Sequence, residues 1–279
     1  MLYAVSMKIV VLGGAGQIGA PLVAHLNRLG HTATSIDIAN GGNHDLRREM
    51  HIWKDEIHAT EFVFFLAFDV GGSQYLAKYE KSKAFLDNNL MIMFNVFHEL
   101  ETSKTPFVFA SSQMSSMNFS PYGVLKRIGE FYSQSLDGVV CKFWNVYGNE
   151  STPEKNHVIT DFIDMALKNF QITMRTSGIE KRQFLFAQDA CEALTTLMDN
   201  YVTVDRTQVY DITSHRWTSI LEVANIIGRY TNSKVVPGIQ TDEVQQNSLN
   251  EPNGNMSNLW KPRFDLDMGI LELLMMKKI

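Results

Sequence analysis

Cysteine is scarce in this sequence. Its 279 residues include only Cys141 and Cys191, which lie far apart in apolar or helical surroundings and form no C-x-x-C pair. A disulfide framework is therefore not predicted. Free buried thiols are typical of proteins of the reducing cytosol, so we expect a cytoplasmic location.

Concentrated positive charge and long apolar runs are also missing. A formal net charge of -5 with no run of Lys and Arg argues against a nucleic-acid partner. No segment approaches the ~20 apolar residues of a membrane span, so no membrane partner is expected. Lys8 and a glycine-rich turn interrupt the apolar opening, which predicts a first strand after a short disordered lead, Met1 to Ser6, rather than a secretion signal.

What is present is a regular alternation of short β-branched runs with helix-length amphipathic stretches. This pattern predicts an α/β fold of the Rossmann type, a doubly wound parallel sheet. The predicted strands are Lys8 to Leu12, Thr32 to Ile36, Phe62 to Leu66, Phe107 to Ala110 and Val139 to Phe143. The predicted helices between them are Gln17 to Leu29, Ser82 to Glu101 and Tyr122 to Ser135.

The pattern changes after Gly148. Scattered elements follow, with helices predicted at Val158 to Asn169, Asp189 to Asn200 and Ser219 to Tyr230, a strand at Val209 to Ile212, and a loop at Asp242 to Ser257. We therefore expect a nucleotide-binding domain over residues 1–148, whose core later segments complete. Residues 149–279 are expected to form a smaller α/β region that mainly binds substrate.

A glycine-rich turn follows the first predicted strand. Gly13, Gly16 and Gly19, with Gln17 and Ile18 between them, open the next helix. Glycine lets the backbone turn tightly and approach a pyrophosphate, whose charge the helix N-terminal amides can bind.

An acidic residue follows at the end of the second predicted strand. Asp37 lies 18 residues after Gly19, where its carboxylate can accept hydrogen bonds from a ribose diol and would repel a 2′-phosphate. The pattern predicts NAD rather than NADP. Asp45 and Leu46 lie where a loop could contact the adenine.

Ser111 and Ser112 follow the strand Phe107 to Ala110, at the sheet edge where open α/β folds bind ligands. Tyr122 and Lys126 lie ten or more residues later, four apart on one helical face. An ammonium beside a phenol lowers the phenol's pKa, as a general base requires. This arrangement predicts Tyr122 as the base, with Ser112 and Lys126 as the other catalytic residues.

Together these features resemble the extended short-chain dehydrogenase/reductase family, and within it the nucleotide-sugar epimerases and dehydratases. The likeness extends over nearly the whole chain. It is carried by the glycine turn, Asp37, Leu66-Ala67-Phe68, Asn89, Ser111-Ser112, Tyr122, Lys126, Asn145-Val146-Tyr147-Gly148, Arg182-Gln183-Phe184, Asp189 and Trp260-Lys261-Pro262. Gln183 and Lys142 depart from it, and the Ser112 to Tyr122 interval is shorter than usual in the family.

The resemblance implies roles for these positions. Ser112 and Tyr122 would contact the reacting sugar hydroxyl, and Lys126 would hold the nicotinamide ribose. Leu66, Ala67, Phe68 and Asn89 would line the cofactor site. The implied substrate is a nucleotide-diphosphate sugar, with Asn145 and Arg182 at its diphosphate. Ser111, Gln113 and His157 are further candidates for substrate binding.

The residues beside Ser112 narrow the implied reaction. The 4,6-dehydratases of the family carry an acidic pair there, whereas this chain has Gln113 and Met114. The similar 3,5-epimerase/reductases use a histidine matched by His157 and a glycine pair matched by Gly71-Gly72, but their cysteine is missing. We therefore expect an NAD-dependent C4 epimerase that acts through a transient 4-keto sugar.

Two other functions stay open: an NAD(P)-dependent 4-keto-sugar reductase or 3,5-epimerase, and a non-catalytic dinucleotide-binding protein on the same fold. His44, His51 and His58 are evenly spaced but form no metal-ligand pattern, so no metal is expected. A homodimer is expected from the family, with Met and Phe side chains at 91, 93, 94 and 97 as possible contacts.

Overall fold

The fold is taken from a computed structural model that describes residues 6–48, 51–150, 152–240, 242 and 250–278. Of the predicted disordered lead, residues 1–5 lie outside the described residues. Residues 243–249 of the predicted loop do so as well.

A six-stranded parallel sheet organises the chain. Its inner strands are apolar along nearly their whole length because helices cover both faces. The strands of the described residues are β1 (Lys8–Leu12), β2 (Thr32–Ile36), β3 (Phe62–Phe65), β4 (Phe107–Ser112), β5 (Val139–Phe143), β6 (Asn145–Tyr147), β7 (Gln171–Thr173), β8 (Lys181–Phe186), β9 (Val209–Ile212), β10 (Trp217–Ser219) and β11 (Lys234–Val236). The strands of the main sheet lie in the order β2-β1-β3-β4-β5-β9. The predicted doubly wound α/β fold is confirmed.

Helices fill the crossovers between the strands. Three of them are preceded by an N-cap serine whose side chain accepts a backbone N–H of the first turn. These serines are Ser82, Ser120 and Ser219. The α-helices are α1 (Gly19–Arg28), α2 (His51–His58), α3 (Ser73–Tyr79), α4 (Lys83–Ser103), α5 (Pro121–Ser135), α6 (Val158–Asn169), α7 (Ala187–Asp199), α8 (Ile220–Thr231) and α9 (Leu266–Lys278).

The second half of the chain contributes to both parts of the molecule. Strand β9 completes the main sheet, and α7 packs into the same buried cluster as α1. Strands β10, β8 and β6 form a smaller sheet, and β11 pairs with β7. A separate apolar cluster joins α6, α8 and α9 over this region. The boundary at residue 148 therefore does not divide two independent cores.

The structure differs from the sequence-based elements in local ways. Strand β4 extends to Ser112, because Ser111 and Ser112 continue the pairing with β5 through Lys142 and Phe143. The short helices α2 and α3 were not predicted, since both carry several polar residues and span only one or two turns. Cys141 and Cys191 are buried and free, as predicted. Within the described residues, no helix is long and apolar enough to cross a membrane.

Close packing of α5 on β4 gives a test of this fold. A Cβ at Gly129 would lie 2.3 Å from the Phe109 ring. Overpacking costs about 1–3 kcal/mol and alanine's helix propensity returns up to about 1 kcal/mol, so Gly129→Ala should lower the free energy of unfolding by about 1–2 kcal/mol. Chemical denaturation measures this. In the control Gly254→Ala, the added methyl would meet no atom within 4 Å. An equal loss of unfolding free energy in both variants would contradict the packing of α5 on β4.

Candidate active site

A cavity of about 1380 Å³ opens at the carboxyl ends of the parallel strands. Residues of both halves line it. The first half contributes the glycine turn, the ends of β2, β3, β4 and β5, strand β6 and the start of α5, and the second half contributes residues between 152 and 162 and between 173 and 184, with Ile239, Gln240 and Asp242. Since parallel strands all end at one sheet edge, this is where the fold brings distant polar residues together.

The glycine turn forms one wall of the cavity. Gly13 has a φ of +83°, a left-handed conformation that favours glycine, and a Cβ there would lie 2.7 Å from the Ala67 nitrogen. At Gly19 a Cβ would lie 2.0 Å from the Gly13 carbonyl oxygen. Only glycine fits both places, so the turn stays close to the chain that follows β3.

Asp37 joins this turn to the end of β2. Its Oδ2 accepts the Ala15 N–H at 3.1 Å and its Oδ1 accepts the Ala39 N–H at 3.0 Å. Gln17 also lines the cavity, and its buried Nε2 has no hydrogen-bond partner. A buried donor without a partner is unfavourable, so the turn suits an anionic or polyhydroxyl ligand that would accept from it.

Asp45 and Leu46 line the cavity as well. The Asp45 carboxylate binds the Arg47 guanidinium through both oxygens, at 2.8 and 2.9 Å. This hydrogen bonding lowers the pKa of Asp45 despite partial burial. Arg47 in turn donates to the Asn88 Oδ1 at 3.0 Å, so the loop is held against α4.

Tyr122 and Ser112 meet at the start of α5. Tyr122 is 8% exposed and Ser112 is 7% exposed, and both line the cavity. Burial raises the pKa of Tyr122 to about 12, while the Ser112 side chain acts in the opposite direction. The serine hydroxyl also accepts the Met114 N–H at 3.2 Å, which orients it at the end of β4.

Lys126 lies one helical turn after Tyr122, also facing the cavity. Its Nζ donates to the Ala110 carbonyl at 2.6 Å and lies 3.8 Å from the centre of the Phe68 ring. The distance from Nζ to the centre of the Tyr122 ring is 5.9 Å. Burial lowers the pKa of Lys126 to about 7. The prediction that Lys126 lowers the pKa of Tyr122 is wrong for this structure, because the ammonium is directed to a carbonyl and burial dominates.

Three predicted site residues use their side chains away from the cavity. Asn89 is fully buried and binds the backbone N–H and carbonyl of Asp69, so it shapes the wall instead of lining it. Gln113 does not line the cavity either, and its carbonyl and Oε1 accept from Asn250. Ser111 lines the cavity but donates its hydroxyl to Glu130. Direct ligand contact is therefore not supported for Asn89 or Gln113.

The predicted diphosphate residues lie across the cavity. The buried Nδ2 of Asn145 has no hydrogen-bond partner, and Asn145 lines the cavity. Arg182 is 5% exposed and forms an ion pair with Asp242, which lines the cavity as well. A hydrogen-bond donor and a cation therefore line the same cavity as the glycine turn.

His157 lies at the start of α6 and lines the cavity. Its Nδ1 is 2.6 Å from the Glu150 Oε1, and its backbone N–H donates to Oε2 of the same carboxylate at 2.9 Å. Hydrogen bonds with His157 lower the pKa of Glu150 against the effect of burial. An ionised Glu150 accepts the hydrogen bond from Nδ1, which leaves Nε2 as the ring nitrogen available to a ligand.

The sequence reasoning missed a polar cluster next to these residues. Asp69 accepts the Tyr75 hydroxyl at 2.6 Å, the Lys155 ammonium at 2.9 Å and the Asn88 amide at 3.0 Å. Asp69 directly follows the predicted site residue Phe68 at a strand end, which was an available signal. Lys155 and Glu150 carried no such signal, because they come from the irregular half. Among the described residues, no group of three His, Cys, Asp or Glu could hold a metal ion.

Comparison with known proteins places this site in a family. The profile of the NAD dependent epimerase/dehydratase family matches residues 9–213. The chain is 25% identical over 265 residues to UDP-N-acetyl-alpha-D-glucosaminuronate decarboxylase of Bacillus cytotoxicus, with 81% of each chain covered.

Two solved structures have the same fold. The complex of UDP-glucose 4-epimerase from Thermotoga maritima with UDP-glucose aligns with a TM-score of 0.81 at 18% identity, covering 98% of this chain and 99% of that one. The enzyme WbmF of Bordetella bronchiseptica, in complex with NAD+ and UDP, aligns with a TM-score of 0.76 at 22% identity, covering 98% and 92%.

The family match includes the glycine turn, Asp37, Ser112, Tyr122 and Lys126, all of which line the cavity. It also confirms the resemblance to the nucleotide-sugar epimerases and dehydratases that those residues carried, and the expectation of NAD as the cofactor. This chain belongs to the NAD dependent epimerase/dehydratase family of enzymes.

Proposed function

We propose that this chain is a nucleotide-sugar epimerase that inverts C4 through a transient 4-keto sugar, with Tyr122 as the base. The observation that carries the proposal is that Ser112, Tyr122 and Lys126 all line one cavity, with Lys126 one helical turn after Tyr122. The residues that follow Ser112, Gln113 and Met114, supply no carboxylate for an elimination. Hydride abstraction and return is the chemistry this set can perform.

The residues that would hold NAD are those of the glycine turn and the strand ends. Backbone amides at the N-terminus of α1 suit the pyrophosphate, and the unpartnered Gln17 Nε2 supplies a further donor. The Asp37 carboxylate suits the adenosine ribose, and Lys126 suits the nicotinamide ribose. When bound, the nicotinamide ring would accept a hydride, return it, and add positive charge beside Tyr122.

The residues of this chain would then move the proton. Ser112 would orient the sugar hydroxyl, and Tyr122 would take the proton of O4 and later return it. A phenol with a pKa of about 12 is a poor base at neutral pH, so the tyrosinate needs positive charge close to it. A bound nicotinamide ring would supply that charge, because the Lys126 Nζ is directed to the Ala110 carbonyl.

The rest of the cavity suits a nucleotide-diphosphate sugar. At about 1380 Å³ the cavity exceeds the roughly 300–1,000 Å³ that is usual for one small ligand, which leaves room for a dinucleotide and a second nucleotide. Arg182 and the unpartnered Asn145 Nδ2 face this region and suit a diphosphate.

One observation favours a second candidate, a 4-keto-sugar reductase or 3,5-epimerase. The Glu150–His157 pair offers an oriented imidazole at the cavity, as a second acid or base would require. Exchange of deuterium at C3 or C5 of a 4-keto substrate would favour this candidate over C4 inversion. A non-catalytic dinucleotide-binding role is less well supported, because a binding protein needs no oriented phenol.

Replacing Tyr122 by Phe tests the base. Without the phenolic oxygen, C4 inversion of UDP-, GDP- or dTDP-hexoses should fall at least about hundredfold, while NAD binding stays unchanged. Product analysis and calorimetric NAD titration measure the two effects. The control Tyr230→Phe removes a partly exposed hydroxyl far along the chain. Undiminished turnover in Tyr122→Phe, or a strict need for stoichiometric NAD(P)H, would exclude the proposed mechanism.

Replacing Asp37 by Asn tests the cofactor preference. The variant keeps an acceptor for the Ala15 or Ala39 amide but loses the charge that would bind the ribose diol and repel a 2′-phosphate. A hydrogen bond to a charged group contributes about 1.5–3 kcal/mol, so the ratio of NADP to NAD dissociation constants should fall at least about tenfold. Asp87→Asn on the exposed face of α4 is the matched control. An unchanged ratio in Asp37→Asn would remove Asp37 from cofactor selection.

We also propose a homodimer through the outer faces of α4 and α5. Met93 and Phe97 are core residues in the structure, so only Met91 and Phe94 of the four candidate contact residues are exposed. The exposed apolar side chains of these two helices are Leu90, Met91, Phe94, Val124, Phe131 and Tyr132. An apolar patch of this kind is typical of an interaction surface.

The cytoplasmic location also stays a prediction.

Charge introduced at the centre of this patch tests the dimer. Phe94 is 67% exposed and Phe131 is 57% exposed, so Phe94→Glu and Phe131→Glu should leave the fold intact. Burying an unpaired carboxylate in an interface is costly, so both variants should shift the protein to monomer in light scattering after size exclusion. Val202→Glu, at an 89% exposed position elsewhere, is the control. A wild-type chain that is monomeric at the same concentration would refute the dimer.

A further inference from the structure

An ion pair links the end of β3 to the chain before α6 on one side of the cavity. Asp69 and Lys155 both line the cavity, and the Lys155 Nζ lies 2.9 Å from the Asp69 Oδ1. The same Nζ lies 4.8 Å from the centre of the Tyr75 ring, whose hydroxyl donates to the same Oδ1 at 2.6 Å. A carboxylate and an aromatic ring therefore hold this ammonium in place.

The backbones of the two segments approach closely at the same point. The Gly72 N–H donates to the Lys155 carbonyl at 3.0 Å. A Cβ at Gly72 would lie 2.1 Å from the Asn156 carbonyl oxygen, and a Cβ at Gly71 would lie 3.0 Å from the Lys155 Cα. The two glycines therefore allow the chain after β3 to pack directly against the chain before α6.

The apolar residues on either side of this contact belong to different clusters. Leu76 of α3 packs with the first half of the chain, whereas Ile159 of α6 packs with α8 and α9. The contacts that link α3 to residues 153–161 include exposed hydrogen bonds, from Tyr79 to Glu154 and from Gln74 to Asp161. Exposed polar contacts add little to stability and separate at a small free-energy cost, so this contact can open while both clusters stay packed.

The ion pair lies beside the nicotinamide end of the proposed cofactor site. Asp69 directly follows Phe68, whose ring centre lies 3.8 Å from the Lys126 Nζ and 5.8 Å from the centre of the Tyr122 ring. Lys126 is the residue proposed to hold the nicotinamide ribose. Separation of Lys155 from Asp69 would therefore open the cavity next to that ribose.

We propose that Asp69 and Lys155 are positioning residues that retain NAD, because their ion pair keeps the cavity closed beside the nicotinamide ring and must separate for the cofactor to enter or leave. Retention matters for the proposed inversion, since the hydride taken from the sugar must return from the same cofactor molecule. The inference rests on the proposed placement of the nicotinamide end, but not on which sugar is inverted.

Stopped-flow fluorescence of NADH tests this without turnover. Lys155→Met removes the ammonium, so binding and release of NADH should both become at least about fivefold faster, because both pass through the open state. The dissociation constant should change by less than about twofold, because the ion pair forms with and without the cofactor and favours neither state. Loss of a direct contact with the cofactor would instead speed release alone and weaken binding.

Three variants separate the ion pair from a general loss of structure. Lys155→Arg keeps a cation that pairs well with a carboxylate, so both rates should stay within about twofold of the wild type. Lys83→Met breaks an exposed ion pair on α4 and is the matched control. Asp69→Asn with Lys155→Met should be no faster than Lys155→Met alone, because the two side chains act as one pair. If Lys155→Met does not fold, Asp69→Asn carries the same expected increase in both rates.

Unchanged rates in the folded variant would overturn the inference. It would also be overturned by faster release with weaker binding and an unchanged association rate, or by an equal acceleration in Lys83→Met. Faster binding and release in a protein that fails to invert C4 would support the inference and reject only the proposed reaction.

Discussion

Desolvation of the phenol and the ammonium at the start of α5 is the constraint on which the site depends. Burial raises the pKa of Tyr122 from 10.0 to about 12, a penalty on the tyrosinate of about 3 kcal/mol, and it lowers the pKa of Lys126 from 10.5 to about 7. Both groups are therefore driven towards their neutral forms. Each nearby charge has a large effect in such a site, because little water is present to screen it.

Both halves of the chain build the cavity that Tyr122 and Lys126 line. The ion pair between Asp69 and Lys155, at 2.9 Å, joins the end of β3 to the segment before α6. Tyr79 on α3 donates to Glu154 at 2.5 Å, and Gln74 donates to Asp161 at 3.2 Å. These contacts cross from the first half of the chain to the second beside the opening. The glycine turn and Arg182 line the same cavity.

The sequence predicted the parts of the site that local chemistry determines. The bounds of β1, β2, β5, β9 and α6 agree with the structure, and Gly13, Asp37, Ser112, Tyr122 and Lys126 all line the cavity. Both a glycine turn after an apolar strand and a pair of residues four apart on a helix can be recognised from the sequence alone.

What the sequence could not supply is the choice of partner for each polar side chain. The spacing of Tyr122 and Lys126 placed them on one helical face, but not the Ala110 carbonyl that the ammonium binds. Asn89 turned out to bind the Asp69 backbone, and Gln113 to bind Asn250 from 137 residues away. Such partners are set by tertiary packing, so a residue can match a motif position and still face away from the ligand. This difference between matching a motif and facing the ligand matters for the proposed inversion. The keto sugar would have to turn beside Ser112. The lining residues Met114, Phe143 and Trp144 are largely apolar and would offer it few polar contacts.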